Sequence, residues 1–153
     1  MNDKKTIQLL NKLIQINNDR FEGYETAFKE TDEQYLKILF SSLMLTSQKC
    51  KQTLINEVVR YGGVPTESTR IAGKLFRVLM DVKAAITGKD QKAILNSCLF
   101  GEHIALETYQ NMLDNDLDNL SFEEQKIINA QMALLRADYE KIKLLHEDLV
   151  ASS

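Results

Sequence analysis

With 153 residues, 44% of them hydrophobic, the chain is long enough to bury a core of its own, and one proline with six glycines leaves few helix breakers. A net charge of −3 with both signs mixed along the chain gives no broad basic face for a phosphate backbone, which excludes nucleic acid as a partner. No apolar run reaches the roughly 20 residues that span a bilayer, and the polar start MNDKKTIQ lacks a signal-peptide layout, so a cytoplasmic protein with no membrane partner is expected.

The first helix is predicted from Asp3 to Glu30, with Ile7, Leu10, Ile14, Asn17, Phe21, Tyr24 and Phe28 in three-four alternation. Gly23 inside it implies close approach of a neighbouring helix. Thr31 to Gln34 has the form of a capping box, so a tight turn should lead into a second helix that ends near Tyr61 and buries Leu36, Phe40, Leu43, Ser47, Cys50, Leu54 and Val58. Gly62 and Gly63 can take the left-handed conformation that ends a helix, and Val64-Pro65 prevents its resumption. A shorter helix is expected from Thr69 to Ile86, with Ile71, Leu75, Val78, Leu79 and Val82 apolar, ended by Gly88. At 1.5 Å per residue such a helix covers about 27 Å, enough for a crossover along a bundle.

The third long helix is predicted from Asp90 to Asp116, along Leu95, Cys98, Glu102, Ala105, Tyr109 and Met112. Ser121 and Glu124 form a second capping box, which starts a last helix reaching Val150 along Ile128, Gln131, Leu135, Asp138, Ile142, Leu145 and Leu149. Hairpin, long crossover with an extra short helix, and hairpin is the ferritin-like order of an all-α four-helix bundle, here in a single domain over residues 1–153.

Glu102 and Asp138 lie on these apolar seams. A carboxylate that points inward needs a counter-charge, a metal or hydrogen-bond donors, because burying it alone costs several kcal/mol. Counting from the connecting turns brings Asn17 level with Ser47 and Gln48, and Glu102 level with Leu135 and Asp138; in a ferritin-like bundle Glu25 comes level with His146. Diiron bundles place one Glu on each of two helices and Glu-x-x-His on each of the other two. That set is missing: the residue three before His146 is Lys143, and three before His103 is Phe100. Two readings follow. In one, Glu25, Glu102, Asp138 and His146 hold iron, manganese or zinc; in the other, the Asn17 and Gln131 amides and tyrosine hydroxyls meet Glu102 and Asp138 in a buried network that fixes helix register. His103 falls on a flank, Cys50 and Cys98 serve as small hydrophobes, and no glycine-rich phosphate loop is present.

The stretches NNDRFEGYE from Asn17 to Glu25, YGGVP from Tyr61 to Pro65, LMDVKAAITGKD from Leu79 to Asp90, Gly101-Glu102, and Tyr139 with His146 resemble the bacterial ferritin-like four-helix-bundle proteins known only as a domain of unknown function. The resemblance runs from Ile7 to Leu149. It implies a ferritin-like fold, no established activity and no catalytic residues to carry over, with a stress-related role by analogy alone. The expected function is that of a non-enzymatic, self-associating bundle that binds a metal or a partner protein. The alternative is a metal-dependent oxidase or iron-handling protein. The crossover helix, with Phe76, Met80 and Val82, is the surface on which a protein partner is expected.

Overall fold

The computed structural model describes residues 2–68 and 74–153, with residues 74–77 and 79 described by their backbone alone. These residues form helices α1 (Asp3–Glu30), α2 (Gln34–Arg60), α3 (Lys74–Thr87), α4 (Gln91–Asn115) and α5 (Phe122–Ala151), with a single 3-10 turn at Leu117–Asn119. There is no strand among them, and no described helix is long and apolar enough to cross a membrane. The predicted residues 69–73, Ile71 among them, and the side chains of Leu75, Phe76 and Leu79 lie outside the described residues.

Local chemistry sets the ends of these helices. Asn2 caps α1 by accepting from the Lys5 amide, and Asp90 caps α4 by accepting from Ala93. Ser121 and Glu124 make the expected reciprocal box at the start of α5. The first turn is built differently from the expected box. Thr31 has extended backbone and closes α1 by donating its amide to the Ala27 carbonyl, while its hydroxyl accepts from Glu33 inside the turn. Because α2 starts only at Gln34, that residue is its first and cannot reach back from the third position. Gly62 ends α2 with φ 76°, as expected. After α3 the left-handed residue is Lys89, at φ 55°, one residue beyond the expected Gly88, because the last carbonyls of α3 are already taken by the Gly88, Lys89 and Asp90 amides.

Contacts between helices fix their directions. Thr6 meets Asn119 at one end and Arg20 meets Glu102 further along, so α1 and α4 run antiparallel. Tyr61 meets Glu124 and Lys141 meets Ser42, so α2 and α5 also run antiparallel. With the two hairpins, each long helix is antiparallel to two neighbours. Helix α3 lies along α4, where Gly101 provides the space: a Cβ there would come within 3.0 Å of Val78 Cγ1. The start of the crossover is pinned to α1 by two amides. Asn11 donates to the Val64 carbonyl and accepts from the Thr66 amide, and Asn18 donates to the Thr66 and Ser68 carbonyls.

The apolar core is in two parts. One gathers Leu10, Leu13, Ile14, Leu54, Ile128 and Leu135 toward the α2–crossover end; the other gathers Leu36, Phe40, Leu43, Val82, Leu95 and Ile142 toward the α1–α2 turn. Fully burying each such side chain contributes about 1.5–3 kcal/mol. Between the two halves the interior is polar.

Candidate functional site

Buried side chains of α1 include Leu10, Leu13, Ile14, Asn17, Arg20, Tyr24 and Ala27, which share Leu10, Ile14, Asn17 and Tyr24 with the expected seam but have Arg20 in place of Phe21. Arg20 is 4% exposed and Glu102 is wholly enclosed. The Arg20 guanidinium grips Glu102 with two bonds, Nε to Oε2 at 2.8 Å and Nη2 to Oε1 at 2.5 Å, in the fork geometry that suits a carboxylate. Nη1 donates to Ser47 Oγ at 2.7 Å, and the Ser47 hydroxyl donates to the Leu43 carbonyl. Nη2 also reaches Asp138 Oδ2, at 3.4 Å. The Tyr24 ring covers the guanidinium, with its centroid 5.7 Å from Cζ. One side chain from each of α1, α2, α4 and α5 therefore meets at a single charge.

One cation here serves two acids. Burial opposes the charge on Arg20, but the adjoining Glu102 outweighs it and holds the guanidinium pKa above its ordinary value. The pKa of Asp138, at the looser contact, is raised too, which for an acid disfavours the charge: burial and the nearby Glu102 push its carboxyl up, more than the Thr46 hydroxyl and Arg20 pull it down.

A second layer spans the same four helices without any charge. Asn17 Nδ2 donates to Tyr109 Oη at 2.8 Å, Tyr109 donates to Gln131 Oε1 at 2.7 Å, and Gln131 Nε2 donates to the Cys50 carbonyl at 3.1 Å. The run therefore passes from α1 to α4 to α5 to α2. Burial pushes the Tyr109 hydroxyl above its usual pKa, so it stays a donor.

Further acids sit nearer the surface. Glu57 and Glu124 are both buried where α2 ends and α5 begins. Burial and the neighbouring Glu124 raise the Glu57 pKa, whereas the bonds from Ser121, Tyr61 and Glu57 hold Glu124 low despite its burial. Asp19 lies on α1, next in sequence to Asn18. It is 5% exposed, its Oδ1 has no hydrogen-bond partner among the described residues, and burial with the nearby Glu22 pushes its pKa up to about 7.

The sequence-predicted metal ligands divide into two groups. Glu102 and Asp138 come together at Arg20. Glu25 is half-exposed, with Oε1 3.7 Å from Lys29 Nζ, and His146 is half-buried on α5. No hydrogen bond or ion pair joins either of them to Glu102 or Asp138 among the described residues, and no group of three or more His, Cys, Asp and Glu side chains there is placed to hold an ion. Both Glu102 oxygens already accept from Arg20, so the interior acids as arranged fit a guanidinium and not a metal. The amides Asn17 and Gln131 do form a buried network, but with Tyr109, while Arg20 meets the acids.

His103 is exposed on a flank and sits 3.5 Å from Glu107. Both cysteines are free and buried; burial pushes the Cys50 thiol up to about 11, and burial with Glu102 nearby pushes Cys98 higher still. Neither thiol is a ready nucleophile at neutral pH.

Among known families, one described as Domain of unknown function (DUF2383) matches residues 5–115, from the first turn of α1 to the end of α4. No curated protein matches the chain.

Proposed function

The chain belongs to the family described as Domain of unknown function (DUF2383), and from that premise we propose that it is a non-enzymatic, ferritin-like bundle whose interior ion cluster fixes helix arrangement. Two hairpins joined by a long crossover, each long helix antiparallel to two neighbours, support the ferritin-like reading. The observation that carries the proposal is the position of Arg20: its guanidinium fills the space between acids of α4 and α5, where carboxylate bundles of this shape hold a cation. A buried ion pair of this kind adds little net stability over apolar packing, and its best-attested use is to single out one register.

The test joins metal analysis of untagged protein with urea unfolding of Glu102→Gln. The scaffold reading expects far less than one metal per chain in both proteins and a stability loss of about 3 kcal/mol in the variant, from leaving Arg20 under-compensated. Stoichiometric iron, manganese or zinc that disappears in Glu102→Gln would overturn it, in favour of a metal-dependent oxidase or iron-handling protein using Glu25, Glu102, Asp138 and His146.

A further inference from the structure

Helices α2 and α5 enclose the core with one side each and leave a second apolar line facing outward. On α2 this line is Ile38, Leu45 and Val59, which recur on a heptad and are 63%, 52% and 57% exposed. On α5 it includes Leu134 and Leu144, 45% and 59% exposed. Ile38 from the first of these and Leu134 and Leu144 from the second border two hollows between α2 and α5. Ile38 and Leu39 face Lys141 and Leu144 across a hollow of about 520 Å³, and Lys49 and Thr53 face Ile127 and Leu134 across one of about 180 Å³.

We propose that this α2–α5 face is the interface of a two-fold homodimer, with α2 of each protomer lying on α5 of the other. Three features select a second copy. The first is charge: at one end of the face α2 closes with the exposed cation Arg60, which pairs with Glu57 on its own helix, and α5 opens with the exposed acid Glu123. The second is register. A two-fold axis parallel to the helices keeps each residue at its own height, and the Tyr61–Glu124 bond shows that Arg60 and Glu123 share a height within one chain. Arg60 then faces the partner's Glu123, twice by symmetry, and Ile38 faces the partner's Leu144. An axis across the helices would instead set Lys49 against the partner's Lys49 near mid-face. The third is size: helices of about 40 Å lying side by side, each about 10 Å wide, present about 800 Å² per protomer, the area of a standard stable interface. The dimer does not depend on what the core holds.

Light scattering on the intact chain during gel filtration tests the assembly. Twice the 17.5 kDa chain mass is expected for wild type at micromolar concentration. Leu45→Glu with Leu134→Glu, both at exposed positions, should give a monomer with unchanged far-UV circular dichroism. Arg60→Glu should weaken association about tenfold, and adding Glu123→Arg should restore it, with thermal melts confirming that each variant is folded. A monomeric wild type would overturn the proposal and leave the face to another protein. A dimer indifferent to these substitutions, or a charge swap that fails to restore, would overturn it equally.

Discussion

The Arg20 layer and the Tyr109 layer draw on the same four helices, yet only the first contains charge. In the Tyr109 layer each donor meets one neutral acceptor, and its links can be removed one at a time at modest cost. In the Arg20 layer the guanidinium serves Glu102, Ser47 and Asp138 together, so removing Arg20 or Glu102 leaves a buried charge without its main partner. The comparison separates two uses of interior polarity: hydrogen bonds that join helices, and an ion cluster that makes the wrong joining expensive.

The largest effect should come from Arg20→Met. It leaves two facing acids without their cation, and urea unfolding at pH 7 should show a loss of about 3–5 kcal/mol. Part of that loss should return as pH falls, because the Asp138 carboxyl, already raised by burial, takes up a proton. Replacing Arg20, Glu102 and Asp138 together with Met, Leu and Leu should cost little or add stability. If the triple variant is as unstable as Arg20→Met, the cluster contributes affinity between helices and not only discrimination.

Tyr109→Phe should cost about 1–2 kcal/mol by stranding Asn17 and Gln131, well below Arg20→Met in the same assay. An equal loss would erase the distinction between the layers.

Asp19→Asn concerns a carboxyl with no ion pair among the described residues. Its folded pKa, near 7, is above its unfolded value, so the acid stabilises the fold below about pH 4 and loses that contribution as pH rises through 7. The variant should therefore be more stable than wild type by about 1 kcal/mol at pH 8 and should gain nothing at pH 4, read as the difference between urea midpoints. A gain that is independent of pH would mean that the carboxylate is not the cause. The smallest effect is local: Lys89→Gly relieves a left-handed backbone position and should raise stability by about 0.5–1 kcal/mol.

The helices were legible because three-four spacing and turn residues speak locally. Asp3 to Glu30 was read to the residue, and Ser121 with Glu124 announced α5. The inward direction of Glu102 and Asp138 was legible too, since each interrupts an otherwise apolar line. Arg20 was missed because a search for apolar spacing scores a cation as surface and moves the seam of α1 onto Phe21. The missing signal lay in Glu102 itself: an enclosed acid calls for a cation, and Arg20 stands at helical spacing from both Asn17 and Tyr24. The crossover anchors Asn11 and Asn18 were illegible, because they bond main-chain carbonyls of an irregular segment and leave no pattern in side-chain type.

The family match stops where α4 ends, but both polar layers take a member from α5: Asp138 in one, Gln131 in the other. A polypeptide cut after Asn115 would retain the whole matched span and still leave Tyr109 without its acceptor and Leu10, Leu13 and Leu54 open to water. The matched span is thus three walls of a room. Any shorter relative sharing this interior must borrow its last wall from further along its own chain or from another molecule.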